Sequence, residues 1–119
     1  MNDLHEYLEH LVRLRYRGDV VAGFCKLEQA DPLTLVLKKG LTTHPQFSYW
    51  AKKGSAVKRY RPRDVELELV NILNEVVATI TMKRAWAVNW EAEEQPETLL
   101  QTWDVDLLEL SCEKISLKG

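Results

Sequence analysis

The residues best suited to chemistry in this sequence are three acids that alternate along one short segment, Asp64, Glu66 and Glu68. Paired carboxylates act as catalytic acid and base when their surroundings push their pKa values apart. These acids alternate with aliphatic residues, which is the pattern of a strand that has one face in solvent and the other in a core. We therefore interpret the row as a solvated strand face rather than a catalytic pair.

The histidines and cysteines do not form a catalytic or metal-binding pattern. His5 and His10 are five residues apart and do not share a helical face, and His44 precedes a proline at a predicted helix start, where a capping role is expected. Cys25 and Cys112 lie in apolar segments, so we expect two buried free thiols. The sequence has no glycine-rich phosphate loop and no cysteine quartet, and it predicts no enzyme activity, no cofactor and no metal.

One segment concentrates positive charge around an aromatic ring. Its members are Lys58, Arg59, Tyr60, Arg61 and Arg63. Such a cluster is typical of a surface that binds nucleic acid, or of a loop that is solvated or salt-bridged to a neighbouring chain. We favour the second alternative and predict a subunit contact here.

The elements that carry these groups follow from the apolar patterns. Strands are predicted at 11–16, 20–25, 33–38, 64–72, 76–90 and 102–117, with a polar break at 26–32. A change of parity in the last strand indicates a bulge near Leu107. A helix capped by Thr42 or Thr43 is predicted to end before Gly54, and a short docking helix is predicted at the N-terminus.

The segment 80–90 is predicted to be the central strand. In an extended strand Trp86 and Trp90 fall on one face, and Ala85 and Ala87 fall on the other. The indole rings offer the largest apolar area, so their face is expected to point into the core, while the small face admits a close neighbour. We accordingly expect the core to contain Trp50, Trp86, Trp90 and Trp103.

Length and composition fit one domain, 1–119, with a mostly β (α+β) fold. The chain has 119 residues, of which 45% are hydrophobic and 29% charged, and its net charge of −2 gives no overall attraction to nucleic acid or anionic membranes. It has no apolar run of membrane-spanning length and no signal sequence, so we expect synthesis in the cytoplasm and no membrane partner. The predicted architecture is an antiparallel β-sandwich or barrel of about six or seven strands, with one packed helix and the short N-terminal helix.

Four segments, in order along the chain, resemble the tail tube proteins of contractile phages and phage-like injection particles. They are Leu14–Phe24, Leu35–Thr42, Arg84–Trp90 and Asp106–Leu110. The resemblance implies a β-barrel-like subunit with a flanking helix, which forms homo-hexameric rings. These rings stack into a tube that conducts DNA or protein cargo and contacts sheath, baseplate or other tube proteins. It also implies kinship with the type VI secretion tube protein, and a place in a virion tail or phage-like particle assembled from protein made in the bacterial cytoplasm.

Within such a ring, acids on outer strand faces need solvent or a channel. The candidate lumen-facing residues are Asp64, Glu66, Glu68, Asp104 and Asp106, and the basic loop is a candidate subunit contact or ring rim. Like charges around a lumen oppose closure, so an acidic lumen predicts that added salt stabilises the ring.

The sequence departs from the resembled family in two places, the helical start at Asn2, where the family has an extended entry, and the link between the second and third predicted strands. That family carries a long polar excursion where this chain has only Glu28–Pro32. We therefore expect ring stacking to be weaker than ring closure. A baseplate-proximal tube initiator ring, or a small β-barrel binding module that forms no tube, stays as the alternative.

Overall fold

The structure, a computed structural model, describes residues 11–93 and 102–119. Within these residues the chain forms seven strands and one helix. In chain order they are β1 (Leu11–Tyr16), β2 (Asp19–Asp31), β3 (Thr34–Thr42), α1 (Pro45–Ala56), β4 (Arg63–Val70), β5 (Val76–Ala92), β6 (Trp103–Ser111) and β7 (Lys114–Lys118). The predicted N-terminal helix lies outside the described residues, apart from Leu11, which begins β1.

The strands close into a barrel. Neighbouring strands follow the order β4-β1-β2-β3-β6-β5, and β4 also pairs with β5, so these six strands form a complete ring. All pairings are antiparallel, and β7 lies along β5 on the same edge as β6. The predicted mostly β fold with one packed helix is confirmed. Closure pairs β4 with β5, whereas residues 25–31 of β2 and the strand β7 are paired on one side only within residues 11–93 and 102–119.

One hydrophobic cluster fills the barrel and extends under α1. Its largest fully buried side chains come from the six ring strands and the helix, and include Phe24, Leu35, Phe47, Leu67, Ile80 and Leu108. On β4 the aliphatic residues that alternate with the acids are all buried, as their spacing predicts.

A bulge in β5 decides which side chains of the central strand face the core. Between Met82 and Ala85 this strand holds one residue more than β4, and Arg84 there has a φ of 50°. An extra residue reverses the alternation, so Ala85 and Ala87 are buried while Trp86 lies half-buried on the outer face. For this reason the prediction that Trp86 faces the core, with Ala85 and Ala87 pointing away from it, is wrong.

A second bulge reverses the alternation again before the strand ends. Ala87 pairs with Leu110 and Asn89 with Glu109, which leaves Val88 as the extra residue. Trp90 therefore packs against the core, and its ring meets the ring of Phe47 edge-on at a centroid distance of 5.9 Å. Among the other predicted core tryptophans, Trp50 is 2% exposed, and the side chain of Trp103 lies outside the described part of the chain.

The helix packs on the small side chains of β5. A Cβ added to Gly54 would lie 2.9 Å from both the Cβ and the carbonyl oxygen of Ala87, so glycine permits this approach of helix to strand. The predicted end of the helix before Gly54 is wrong, because α1 continues to Ala56 and the N–H of Val57 bonds the carbonyl of Lys53.

The hairpin of β2 and β3 is longer than the sequence predicts. The segment 26–31 continues β2, and Pro32 and Leu33 form the whole turn before Thr34 begins β3. Asp31 fixes the turn by accepting a hydrogen bond from the Leu33 N–H at 2.9 Å. The predicted polar break is thus a strand, because its residues pair with β3 from Lys26 opposite Lys38 to Gln29 opposite Leu35, although its side chains other than Leu27 are exposed.

A further predicted irregularity is present in β6. Leu107 pairs with Glu91 and Val105 pairs with Ala92, so β6 carries one extra residue relative to β5 at this point. The bulge near Leu107 is therefore confirmed, and it brings both Val105 and Leu108 into the core.

Candidate functional site

A cleft of about 420 Å³ opens where the β1–β2 turn, the first half of α1 and the segment before β4 meet. Its walls are aromatic and its rim is basic, and we refer to it as the arginine–aromatic cleft. The aromatic residues are Tyr16, Tyr49, Trp50 and Tyr60. The basic residues are Arg17, Arg61 and Arg63.

The start of α1 fixes one wall of the cleft. His44 caps the helix: its Nδ1 accepts the Phe47 N–H at 3.1 Å, and its own N–H donates to the Thr42 hydroxyl at 3.2 Å. Pro45 occupies the first turn, where its fixed φ suits a helix. The capping role expected for His44 is thus confirmed, and the prediction of Thr42 or Thr43 as the cap is wrong, because Thr42 still belongs to β3 and its hydroxyl accepts the His44 N–H.

Aromatic contacts hold the floor of the cleft in place. The ring of Tyr16 lies 5.3 Å from the ring of Trp50 and 5.7 Å from that of Phe47, measured between centroids. The indole Nε1 of Trp50 donates a hydrogen bond to the Arg61 carbonyl at 3.0 Å. A buried indole that is also hydrogen-bonded ties the basic segment to the helix, so the cleft is preformed.

The predicted basic loop lies partly at the cleft and partly beside it. Arg61 stands over the Tyr60 ring and Arg63 over the Tyr16 ring, at 5.4 and 5.8 Å from the ring centroids. Arg59 instead covers Trp86 on the outer face of β5, at 4.4 Å. Cation–π contacts of this kind hold a guanidinium in place without neutralising its charge. Lys58 is fully at the surface.

The cleft arginines have no carboxylate partner among residues 11–93 and 102–119. None of Arg17, Arg61 and Arg63 takes part in the ion pairs found within 4.0 Å in those residues. The Nε of Arg63 is buried and has no hydrogen-bond acceptor there. The exposed guanidinium groups of Arg17 and Arg61 are therefore available to an anionic ligand.

The acidic row on β4 lies on the outer face of the barrel and is paired with cations. Glu68 contacts Arg13 at 3.4 Å and Arg15 at 3.2 Å, both on the neighbouring β1. Asp64 contacts Lys83 at 3.2 Å. Glu66 is exposed. Because these neighbours balance its charge, the row does not form a strongly acidic surface.

The predicted acids of β6 belong to a different surface. The Asp64 carboxylate accepts a hydrogen bond from the Arg84 N–H of β5. The Asp104 carbonyl accepts one from the Glu93 N–H, nine residues farther along the chain and just past the end of β5. At about 3.3 Å per residue this separation is at most about 30 Å, and the bulge at Val88 shortens it. Asp104 and Asp106 are joined instead by two exposed acids at the end of β5. We call this group the β5–β6 acidic patch; its members are Glu91, Glu93, Asp104 and Asp106.

The first bulge of β5 depends on Asp64, and this gives a test by pH. The Arg84 N–H, and next the Lys83 ammonium, donate to this carboxylate and lower its pKa from the usual 3.8. A lowered pKa stabilises the fold above the usual value, and this contribution is lost as the pH falls through the folded-state pKa. We expect Asp64→Asn to make the free energy of unfolding fall less steeply than in the wild type below about pH 4, measured by urea unfolding at a series of pH values.

Glu66→Gln is the matched control for this experiment. Glu66 lies on the same strand face, and it has no hydrogen bond or ion pair to the residues that the structure describes. An equal flattening of the pH dependence in both variants would contradict the assignment to the bulge.

The two cysteines have different environments. Cys112 is buried, and burial raises the pKa of its thiol, which disfavours the reactive thiolate. Cys25 is exposed, so the prediction that both thiols are buried is wrong for this residue. Its side chain points outward because β2 alternates between barrel and solvent, with Phe24 inside.

Other predicted features fall outside the described residues or concern membranes. His5 and His10 precede the first described residue. In the part of the chain that the structure covers, no helix is both long enough and apolar enough to cross a bilayer.

Sequence reasoning found one side of the arginine–aromatic cleft and missed the other. It identified the basic loop but not Tyr16, Arg17 or Tyr49. Tyr49 did carry a signal, since it is a large aromatic side chain next to the buried Trp50 on the helix and is 60% exposed. Arg17 gave none, because an arginine in a hairpin turn is ordinary.

Comparison with known proteins identifies the fold. No family model and no curated protein matches the sequence. Among solved structures, Hcp1 from Flavobacterium johnsoniae is similar with a TM-score of 0.57 and 11% identity, over 92% of this chain and 95% of that one. The anti-feeding prophage cap, described as a tube-terminating cap, has a TM-score of 0.52 and 13% identity, over 94% and 89%.

A third similar structure is a sheath–tube complex of the extracellular contractile injection system PVC, in its extended state. It has a TM-score of 0.51 and 9% identity over 94% of this chain and 89% of that one. The chain therefore has the fold of contractile injection tube proteins, which the four sequence segments imply. At these identities the comparison defines the fold, and function requires separate argument.

Proposed function

We propose that this chain is a structural subunit of the tube of a contractile phage tail or phage-like injection system. In this proposal six copies form a ring around a lumen that conducts DNA or protein cargo. The observation that carries it is the closed barrel with α1 packed on β5, which is similar over more than nine tenths of the chain to proteins from such assemblies. A closed, well-packed barrel is a rigid unit, which suits a tube wall.

The lumen is proposed to be lined by the outer face of β4. This face carries Asp64, Glu66 and Glu68, and the cations Arg13, Arg15 and Lys83 lie beside them. A mixed surface of this kind is hydrated and nearly neutral, so it neither binds nor strongly repels a charged cargo. The proposed partners are further copies of this chain, and sheath, baseplate or other tube proteins.

A terminal position in the tube is favoured by the β2–β3 hairpin. Pro32 and Leu33 make a two-residue turn, so this hairpin is too tight to hold a loop that extends to an adjacent ring. One of the similar structures is itself a cap that terminates a tube. We therefore propose that the ring lies at an end of the tube, as an initiator or terminal ring, rather than along its length.

Ring formation is tested on the purified chain. We expect light scattering to give a particle of six times the 13.8 kDa chain mass, and negative-stain electron microscopy to give separate rings. Spontaneous long tubes would contradict the terminal position. A monomer at every concentration would overturn the ring itself and favour a small barrel that acts as a binding module.

A further inference from the structure

We infer that the arginine–aromatic cleft of one subunit receives the β5–β6 acidic patch of a second copy, in the head-to-tail contact that closes the ring. The inference rests on the proposed function, and it names the residues and the partner of the contact. Three observations carry it: cleft arginines and an acidic patch that form no ion pairs among residues 11–93 and 102–119, and the positions of both surfaces on different strands of the barrel.

The cleft is built to receive carboxylates. Arg17 and Arg61 present two exposed guanidinium groups at its rim, and neither has a carboxylate partner among residues 11–93 and 102–119. A guanidinium binds a carboxylate through two parallel hydrogen bonds, and the bond is stronger where aromatic walls exclude water. Tyr49 and Trp50 provide such walls.

The acidic patch supplies the matching groups. Asp104 and Glu93 lie side by side, because the Glu93 N–H donates to the Asp104 carbonyl at 3.1 Å. All four acids of the patch are exposed, and none forms an ion pair within residues 11–93 and 102–119. Four like charges held together on rigid strands repel one another, so a basic partner stabilises them.

The barrel places the two surfaces on different sides. Around the ring of six strands β1 is three strands away from β6, so the cleft at the end of β1 and the patch at the start of β6 belong to different strands and are different surfaces. A contact between two different surfaces of identical chains is heterologous, and a closed repeat of it gives a ring. Because β4 lies between β1 and β5, such a contact leaves its outer face free to line the lumen.

Nucleic acid is the competing occupant of a basic cleft with aromatic walls. The chain as a whole has a net charge of −2, which gives nucleic acid no overall attraction. A phosphate backbone therefore gains only the local attraction of the cleft, whereas the acidic patch of another copy presents four carboxylates grouped on two paired strand ends. The observations favour the second copy.

Charge reversal tests the contact directly. The cleft-reversed variant is Arg17→Glu/Arg61→Glu, and the patch-reversed variant is Asp104→Lys/Asp106→Lys. Both change only exposed side chains. Because like charges would then face each other across the contact, we expect each variant alone to form rings about 100-fold less readily than the wild type. An equal mixture should restore six-membered rings, because the two variants can alternate with complementary contacts throughout.

The controls separate this contact from a general effect of charge. Lys26→Glu/Lys118→Glu changes the net charge as much as the cleft-reversed variant does, at exposed strand positions away from the cleft, and should form rings like the wild type. Circular dichroism confirms that each variant is folded. The inference would be overturned if either reversed variant alone still formed rings, or if the folded mixture stayed monomeric. Both outcomes would leave the proposed tube function intact. A monomeric wild type rejects both the inference and the proposed function.

Salt and a DNA oligonucleotide provide two further readouts. Contacts between opposite charges weaken with ionic strength, so the wild-type ring should dissociate as salt is added. This is the reverse of the response that an acidic lumen predicts. A ring stabilised by salt would contradict the inference. The inference would also be contradicted if single-stranded DNA bound the wild type but not the cleft-reversed variant, and this variant still formed rings. That result would assign the cleft to nucleic acid.

Discussion

Trp50→Ala is expected to lower the free energy of unfolding by about 3–5 kcal/mol, while Trp86→Ala lowers it by about 1 kcal/mol. Trp50 is 2% exposed, packs against Tyr16 and Phe47, and bonds the Arg61 carbonyl, so its removal leaves a cavity and an unpaired acceptor. Trp86 is half-buried on the outer face of β5, and its loss removes mainly the contact with Arg59. The loss at Trp50 is comparable to the whole stability of many small domains.

The measurement is urea unfolding followed by far-UV circular dichroism. All proteins are compared at one low concentration, because assembly raises the apparent stability of a subunit. Trp50→Phe is a useful intermediate, since it keeps an aromatic ring but removes the hydrogen bond to Arg61. Equal losses for Trp50→Ala and Trp86→Ala would contradict the placement of Trp86 outside the core.

The two tryptophans show where sequence reasoning succeeds and where it stops. Helical spacing placed Trp50 on the inner face of α1, because a helix has one period throughout its length. In β5 the extra residues at Arg84 and Val88 each shift the alternation of side chains by one position. Each therefore changes which side chains point into the barrel. The bulge at Arg84 forms because Asp64, on another strand, accepts its N–H. A long-range contact of this kind leaves no mark in the local pattern.

The candidate interface was predictable in its composition and not in its shape. The basic loop and the acids of β6 are visible in the sequence, since charge is a local property. The cleft requires Tyr16, Tyr49 and Arg63 to meet, and these residues come from three separate elements. Likewise the acids of β4 and those of β6 appear equivalent in the sequence. Among the described residues, however, cations of β1 and β5 pair with acids of β4 and not with those of β6. Strand order thus decides which acids remain free for a partner.

Gly40→Ala is expected to lower the free energy of unfolding by about 2–3 kcal/mol, although alanine is the better residue in most strands. A Cβ on Gly40 would lie 2.6 Å from the carbonyl oxygen of Gly23 and closer still to the ring of Phe24. Phe24 is completely buried, so its ring cannot move aside without disturbing the core. The added methyl therefore separates β2 from β3, where Phe24 pairs with Gly40.

Gly23→Ala is the matched control, because Gly23 lies on the neighbouring strand and pairs with Leu41, beside Gly40. The nearest atom to a Cβ there is the carbonyl oxygen of Val12 at 3.9 Å, an ordinary contact, and its φ is not positive. We expect Gly23→Ala to leave stability unchanged or to raise it by about 0.4–1 kcal/mol, since alanine restricts the unfolded chain. Urea unfolding of both variants measures the difference. If Gly40→Ala were as stable as Gly23→Ala, the close contact of Phe24 with β3 would not exist, and the packing of this side of the barrel would have to be reconsidered.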